Sequence, residues 1–318
     1  MSQNSTPLLI LGLNPAWQKL FILDKLVPGA VHRLAPGREF ASGKGINMGR
    51  VLAKLGCPSH LVQFAGGYTG ERLLAEINSA KIAHTTVVTK AATRICTTLS
   101  DHTGESTELI EPSPELVAGE VDSLFQKMLP LWTAASRVAL CGTAPTGFDW
   151  TRLGLLKREK RFLYLDAWTG IDPWLVQGVR LLKVNAEELA RLLGVASGGG
   201  VVDLFALAKV ALERFPIETL VVTQGSRRVL VFRKERVLSL NPPKARNFVN
   251  AIGAGDSFLA GWIAADSVGL SVEGCLARAV AVSSVRCEAE LPWELDLERV
   301  HVVERQSLER IGELPWNY

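Results

Sequence analysis

The feature that most restricts the fold is a regular alternation of apolar segments and segments with a helical pattern between residues 114 and 225. The apolar segments have the length of strands and read RVALCG (137–142), RFLYLDA (161–167), VRLLKVN (179–185) and TLVVTQG (219–225). The helical patterns cover 114–129, 149–158, 186–193 and 201–214. Strands that alternate with helices are joined by right-handed crossovers and form a parallel sheet with both faces covered. We therefore predict an α/β fold with a doubly wound, mostly parallel sheet flanked by helices.

Two stretches outside this alternation predict a second, smaller sheet. Residues 18–41 and 85–111 divide into short strand-like pieces, and turns such as Pro28-Gly29 and Pro36-Gly37 separate the pieces of the first stretch. A small sheet beside the cleft of a parallel sheet can act as a lid that excludes water, although a decorative insertion is the alternative. We predict that residues 1–318 form one domain in which these strands form the lid.

The composition restricts the class of function. The chain has 318 residues and a formal net charge of +3 with no block of Lys and Arg, so nucleic acid is not an expected partner. No run approaches the roughly 18 apolar residues of a membrane span, and the N-terminus lacks the basic start of a signal peptide. The five cysteines are scattered without a C-x-x-C pair, which is typical of reduced thiols. We expect a cytoplasmic protein that binds neither nucleic acid nor a membrane.

The segment NAIGAGDSFLAGW (250–262) contains the pattern with the most chemical content. Gly253, Ala254 and Gly255 precede an apolar helical pattern, so their N–H groups can face an anion at the start of a helix. Asp256 follows directly and can accept a proton from a hydroxyl group beside that anion. An acid that only complements the helix dipole is the alternative. The segment is not a Walker A motif, which requires G-x-x-x-x-G-K-[ST].

Further motifs make a family resemblance specific. NAIGAGDSFLAG (250–261) resembles the C-terminal signature of the ribokinase/PfkB family of carbohydrate kinases, and SGKGINMGRVLAKLG (42–56) resembles its N-terminal signature. KVNAEEL (183–189) matches the N-x-x-E element of the family, and GLNPAW, AGGYTGERL, TRICTTL, CGTAP and VVTQG follow the family's order. The strings LNPA, VHR, GKGIN, GGYTGE and TELIEPSP look closest to the branch of 1-phosphofructokinases and tagatose-6-phosphate kinases. The resemblance covers essentially the whole chain and implies a ribokinase-like fold.

The resemblance also implies the roles of the phosphoryl-transfer residues. It implies that Asp256 is the general base and that the backbone of Gly253, Ala254 and Gly255 forms the anion hole for the γ-phosphate. Phosphoryl transfer needs donors for the transferred oxygens, a metal and a base, so these roles agree with the chemistry read from the residues alone.

ATP and Mg²⁺ are the cofactors that the resemblance implies. Asn185 and Glu188 correspond to the pair that supports magnesium and its waters, which suits a metal with oxygen ligands. The alternative for this pair is a capped surface helix. Thr223 and Gly225 correspond to a turn that contacts ATP. The family often has a second glycine three residues later, where this chain has Arg228.

On the acceptor side, the resemblance implies a sugar-phosphate pocket. The positions that match are Gly43, Asn47 and Arg94. Lys44 lies in the same turn as Gly43, and Arg33 and Thr143 are weaker candidates for the same pocket. Arg94 matches an arginine that binds the existing phosphate of the substrate, a task for which a guanidinium is well suited; a structural salt bridge is the alternative. Lys44 faces either a phosphate or solvent. Gln18 replaces the aspartate of the usual N-P-A-x-D, which weakens sugar binding or changes the sugar that is chosen.

These patterns predict an ATP-dependent kinase that transfers the γ-phosphate to a phosphorylated ketohexose of the fructose 1-phosphate or tagatose 6-phosphate type. A kinase of an unphosphorylated sugar or nucleoside is the nearest alternative, and a non-catalytic sugar- or nucleotide-binding regulator is the third. A nicotinamide-dependent enzyme is disfavoured because the first strand is not followed by G-x-G-x-x-G. A homodimer that pairs through the lid sheet is also expected, since exposed sheet edges favour pairing.

Overall fold

The strands of the protein form two separate sheets. A computed structural model describes residues 6–101, 106–156, 161–195 and 203–316. The strands in these residues are β1 (Leu8–Leu11), β2 (Ala16–Leu23), β3 (Arg38–Ser42), β4 (Ser59–Gly66), β5 (His84–Thr89), β6 (Ile95–Asp101), β7 (Ser106–Ile110), β8 (Arg137–Cys141), β9 (Phe162–Asp166), β10 (Leu181–Asn185), β11 (Leu220–Thr223), β12 (Val229–Phe232), β13 (Val237–Leu240) and β14 (Gly312–Leu314).

The larger sheet has the order β14-β13-β12-β11-β10-β9-β8-β1-β4-β5. Every pairing from β5 to β11 is parallel. The pairings β11–β12, β12–β13 and β13–β14, which extend the sheet, are antiparallel. The prediction of a mostly parallel sheet is therefore confirmed. The chain leaves β1 toward β4 on one side and returns to β8 on the other, so the carboxyl ends of β1 and β8 flank a topological switch point, where such sheets bind ligands.

Helices cover both faces of the larger sheet, as the alternation predicted. Within the described residues they are α1 (Lys44–Lys54), α2 (Gly67–Ser79), α3 (Ala118–Ala134), α4 (Trp150–Gly154), α5 (Asp172–Leu175), α6 (Ala186–Leu192), α7 (Leu204–Arg214), α8 (Ala254–Ser267), α9 (Val272–Arg286) and α10 (Leu297–Leu308). Buried side chains of α3 to α7 form one apolar cluster with the sheet, and those of α1, α2, α8, α9 and α10 form another. Successive strand residues such as Leu9 and Ile10 belong to opposite clusters because a strand alternates its side chains between faces.

The second sheet has four strands in the order β3-β2-β6-β7. Its presence confirms the prediction of a small sheet, but its membership differs from the prediction in two places. Residues 85–89 were expected in this sheet; instead β5 pairs in parallel with β4 at the edge of the larger sheet. Residues 24–37, also expected to contain strands, connect β2 to β3 without regular structure.

The predicted helix bounds need two corrections. The helix expected at 114–129 begins later, because Leu116 N–H donates to the Thr146 carbonyl at 2.9 Å and holds this segment extended. It also continues past Pro130 to Ala134, where buried Trp132 packs against Trp174 with ring centroids 5.5 Å apart. The helix expected at 149–158 is the short α4, although residues 157–160 lie outside the described part. Residues 201–202, the expected start of the helix at 201–214, also lie outside it.

Two expectations drawn from composition can be compared with the described residues. None of the described helices combines the length and the apolar character needed to cross a bilayer. All five cysteines are free thiols, and Cys57, Cys141 and Cys275 are buried.

Candidate active site

The start of α8 presents unpaired N–H groups. Gly253 lies just before the helix with φ +74°, a left-handed conformation that favours glycine. The N–H of Ala254 donates to the Ala251 carbonyl at 3.0 Å. Among the described residues, the N–H groups of Gly253, Gly255 and Asp256 donate to no acceptor, as expected for the first turn of a helix. The predicted anion hole therefore needs one correction, since the Ala254 N–H is used inside the loop.

The carboxylate of Asp256 lies in the same turn and is 8% exposed. Asn47 on α1 donates from Nδ2 to Asp256 Oδ2 at 2.8 Å. Ser42 in turn donates from Oγ to Asn47 Oδ1 at 3.4 Å. Burial and the nearby Asp166 raise the pKa of Asp256 to about 6. A carboxylate with such a pKa is ionised at neutral pH and is a stronger base than an exposed aspartate, which suits proton abstraction.

A cluster of two lysines around one buried aspartate lies beside this turn. Asp166, at the end of β9, is 1% exposed. Lys44 Nζ lies 2.7 Å from Asp166 Oδ1, and Lys183 Nζ lies 2.8 Å from Oδ2. Although burial opposes ionisation, the two lysines hold the pKa of Asp166 below its usual range. Asp166 and Glu188 likewise raise the pKa of Lys44 against the effect of burial.

Lys183 connects this cluster to the start of α8. A Cβ placed on Gly255 would lie 2.9 Å from Lys183 Nζ, so the ammonium group faces the backbone that carries the unpaired N–H groups. Neither Asp166 nor Lys183 was assigned a role from the sequence. The available signal was a lysine inside the apolar strand LLKVN, because a buried lysine requires an opposite charge or a ligand.

Asn185 and Glu188 form a reciprocal cap at the start of α6. Glu188 N–H donates to Asn185 Oδ1 at 2.8 Å, and Asn185 N–H donates to Glu188 Oε2 at 2.8 Å. This is the capped helix that the sequence left open as the alternative. The remaining oxygen, Glu188 Oε1, lies 3.9 Å from Lys44 Nζ and belongs to the charged cluster. Among the described residues, no three Asp, Glu, His or Cys side chains group as a metal site.

A cleft of about 480 Å³ lies beside the start of α8. Its walls include Thr223, Gly225, Phe248 and Phe258 together with the backbone of Ala254 and Gly255. An apolar cleft of this size that ends at unpaired N–H groups can take a flat ring system with a phosphate at one end. Arg228 folds onto the turn before β12, where its Nε donates to Gln224 Oε1 at 3.4 Å.

Two predicted acceptor-side residues, Arg94 and Thr143, contact Asn14 just after the end of β1. Arg94 Nη2 donates to the Asn14 carbonyl at 3.3 Å, and Asn14 Nδ2 donates to Thr143 Oγ1 at 2.9 Å. The Nε of Arg94 is buried without a partner, and no carboxylate of the described residues pairs with this guanidinium. The salt bridge left open for Arg94 is therefore absent from the described structure.

The other acceptor-side predictions fall in different places. Gln18 is buried on β2 and donates from Nε2 to Thr98 Oγ1 at 2.9 Å, so its amide nitrogen is used within the small sheet. Gly43 has φ +114°, and a Cβ there would lie 2.8 Å from Pro15 Cα, so only glycine fits. Arg33 is exposed in the connection between β2 and β3. The site thus brings Asn47 to Asp256, and Glu188 to Lys44 in the charged cluster. Arg94 and Thr143 lie at the end of β1.

Comparison with known proteins identifies relatives of this chain. The sequence model described as "pfkB family carbohydrate kinase" matches residues 20–292. Tagatose-6-phosphate kinase of Staphylococcus epidermidis is 26% identical over 261 residues, which is 80% of this chain and 83% of the relative. 1-Phosphofructokinase of Bacillus subtilis is 26% identical over 289 residues, 87% of this chain and 91% of the relative. The crystal structure of phosphofructokinase-2 from Escherichia coli with substrates and products has a TM-score of 0.83 at 22% identity, covering 95% of this chain and 99% of that chain.

Proposed function

The chain belongs to the pfkB family of carbohydrate kinases, and from that premise we propose that it transfers the γ-phosphate of ATP to a hydroxyl of a phosphorylated ketohexose. The acceptor is of the fructose 1-phosphate or tagatose 6-phosphate type, which the names of the two relatives support. One observation carries the proposal: an ionisable carboxylate, Asp256, lies in the same helical turn as N–H groups that have no acceptor among the described residues.

In the proposed reaction, Asp256 accepts the proton of the acceptor hydroxyl as its oxygen bonds to the γ-phosphorus and the bond from that phosphorus to ADP breaks. The N–H groups of Gly253 and Gly255 donate to the transferred oxygens, where charge is concentrated during the reaction. Lys183 adds a positive charge beside Gly255. Asn47 holds the carboxylate of Asp256 in one orientation through its hydrogen bond to Oδ2.

The residues beside the proposed phosphate site also fit Mg²⁺. Glu188 Oε1 lies 3.9 Å from Lys44 Nζ, and magnesium prefers oxygen ligands with several retained waters. When bound, the ion would neutralise charge on the phosphates of ATP. Glu188 would hold it together with Asn185, and the adenosine of ATP would occupy the cleft lined by Thr223, Gly225, Phe248 and Phe258.

A substrate panel tests the function. We expect ADP release from ATP with fructose 1-phosphate or tagatose 6-phosphate that exceeds the release with fructose, tagatose, ribose or adenosine, and only slow release without an acceptor. Faster turnover of an unphosphorylated acceptor would instead support the alternative kinase. If calorimetry detects tight sugar binding while no acceptor consumes ATP, the non-catalytic regulator is correct.

Arg94→Ala separates the two kinase alternatives. Because Arg94 has a buried N–H without a partner, we expect it to bind the phosphate already present on the acceptor. Loss of such charged hydrogen bonds should raise KM for the phosphorylated acceptor about 10- to 100-fold and leave turnover of an unphosphorylated sugar unchanged. Arg152→Ala, which removes an arginine paired with Asp122 on the surface, is the matched control. An equal effect of Arg94→Ala on both kinds of acceptor would remove Arg94 from phosphate recognition.

The pKa of Asp256 predicts an acid limb in the pH profile. A base must be ionised to accept a proton, so kcat/KM should fall as pH decreases through about 6 and approach a tenfold loss per pH unit below it. A sugar phosphate also titrates near this pH, so the residual activity of Asp256→Asn supplies the control. The pH profile of Asp256→Asn should retain only the decrease that is caused by protonation of the sugar phosphate. Superimposable profiles for the two proteins would argue against Asp256 as the base.

A homodimer through the small sheet stays a prediction. The strand β7 lies at an edge of that sheet and is exposed along its whole length. Leu109 and Ile110 on it are each 57% exposed. An unpaired edge with apolar side chains favours association, which supports this mode of pairing.

A further inference from the structure

Arg286, the last residue of α9, is a buried charge that the proposed reaction does not use. Its side chain is 0% exposed, and among the described residues no carboxylate forms an ion pair with it. A buried charge is costly unless hydrogen bonds satisfy it. The position of this guanidinium therefore requires a reason within the structure around it.

Three oxygen atoms surround the guanidinium. Nε donates to the Ile252 carbonyl at 2.8 Å, Nη1 to the Ala289 carbonyl at 2.7 Å, and Nη2 to Asn250 Oδ1 at 2.5 Å. Asn250 Oδ1 also accepts from Ile252 N–H at 3.0 Å. Its Nδ2 donates to the Glu290 carbonyl at 2.9 Å. The guanidinium thus joins the loop before α8 to the segment after α9.

The contact with Ile252 controls the direction of a proposed phosphate donor. The carbonyl of Ile252 and the N–H of Gly253 belong to one peptide unit, which is planar and trans, so the two groups point in opposite directions. When Arg286 fixes the carbonyl on one side, the N–H of Gly253 is fixed on the other. Ser283, also on α9, acts in the same way on the next donor, because its Oγ donates to the Ala254 carbonyl at 2.9 Å and Gly255 supplies the N–H of that peptide.

A cation suits this position because three oxygen atoms converge on it. Carbonyl and amide oxygens that face a common point can replace the hydration shell of an alkali ion such as potassium. Here a guanidinium from the chain itself occupies the point, and its N–H groups lie in a rigid planar fork. Burial lowers the pKa of Arg286 to about 10, so the group remains charged at neutral pH.

We propose that Arg286 is a positioning residue for phosphoryl transfer: its guanidinium is an internal cation that fixes the Ile252–Gly253 peptide, so the reaction needs no added monovalent cation. The inference rests on the proposed kinase function. It concerns the loop that carries the phosphate donors and assigns Arg286 no contact with ATP or with the acceptor.

The first experiment uses the unmodified protein. ADP release is measured with ATP, Mg²⁺ and the best acceptor of the panel in potassium, sodium and tetramethylammonium chloride at equal ionic strength. We expect kcat values that agree within about twofold, which corresponds to less than about 0.5 kcal/mol. Activity that depends strongly on potassium overturns the inference about Arg286 but leaves the proposed kinase function intact. The absence of ADP release with every acceptor in every salt contradicts the proposed function, and the inference with it.

The second experiment removes the guanidinium. For Arg286→Ala, we expect kcat to fall about 10- to 100-fold with smaller changes in KM, because the loop loses its orientation and one donor is displaced. Added guanidinium or potassium chloride should restore part of the lost kcat, whereas tetramethylammonium chloride should not. Arg286→Lys, which retains a cation, should lose less activity.

Arg299→Ala is the matched control for stability. Arg299 is 8% exposed and pairs with Glu288 at 3.2 Å, next to the same segment, but does not contact Ile252. The Arg299→Ala variant should have a lower midpoint of thermal unfolding. It should show no loss of kcat that added guanidinium or potassium restores. Unchanged kcat in Arg286→Ala, or a loss that neither cation restores, overturns the inference. If Arg286→Ala does not fold, the comparison of salts on the unmodified protein decides.

Discussion

Asp256→Asn should lower kcat by about 10²- to 10⁴-fold, the range over which a positioned general base contributes to catalysis. Asparagine has nearly the same shape and can accept the hydrogen bond from Asn47 through its oxygen, so the loop before α8 should keep its conformation. What is lost is the ability to accept a proton from the acceptor hydroxyl. KM for ATP should change little, since Asp256 contributes no donor to the nucleotide cleft. Steady-state ADP release with the best acceptor measures the effect.

Asp266→Asn is the appropriate control on the same helix. Asp266 pairs with Arg180 at 2.7 Å and accepts a hydrogen bond from Tyr164, at the far end of α8. Its replacement should lower the midpoint of thermal unfolding while kcat stays near the wild-type value. If Asp256→Asn retains wild-type turnover, the carboxylate is not the base and the proposed mechanism fails.

Lys183→Met should lower kcat by about 10²- to 10³-fold, as expected when one preorganised donor to a developing charge is removed. Methionine fills a similar volume but leaves the region beside Gly255 without positive charge. Asp166 then retains Lys44 as its only lysine partner among the described residues, so a moderate loss of stability should accompany the loss of turnover. Activity and thermal unfolding are measured on the same preparation.

Lys209→Met provides the matched change of charge. Lys209 lies on α7 and pairs only loosely with Glu213, at 4.0 Å on the surface. Its removal should affect neither kcat nor stability by a measurable amount, because exposed ion pairs contribute little. Normal turnover in Lys183→Met combined with reduced stability would mean that Lys183 serves only to neutralise Asp166.

The parts of the site that are contiguous in sequence could be predicted. Gly253 to Asp256 are four successive residues, and the start of a helix determines locally what their N–H groups and carboxylate can do. Asn185 and Glu188 are three residues apart and were recognised from the N-x-x-E element of the family. Gly253, just before α8, also indicated the backbone conformation of the loop. Its left-handed conformation is one that other residues rarely adopt.

Contacts between distant segments could not be predicted in this way. Lys183 and Asp166 are 17 residues apart on neighbouring strands, and Arg286 is 34 residues from Ile252. No local sequence pattern predicts which oxygen atom a buried lysine or arginine contacts. The engagement of the Ala254 N–H within its own turn was also missed, because the glycine-rich motif alone does not show which N–H groups the loop uses.

The error at β5 has a physical cause in the position of the strand. An edge strand of a large sheet has one covered and one open face, so its residues alternate in the same way as those of a small sheet. Val87 is 3% exposed and its neighbour Val88 is 70% exposed. The alternation was read correctly, but it does not tell which sheet a strand joins.

The reciprocal cap at α6 limits how many carboxylate oxygens Glu188 can offer to a ligand. One oxygen of its carboxylate is committed to the N–H of Asn185, so a ligand that takes only the other oxygen leaves the helix intact. A ligand that claims both must break the cap, at a cost of about 1 kcal/mol or about fivefold in affinity. By reciprocity, such a ligand would fray the first turn of α6, and the order of that turn would report on occupancy.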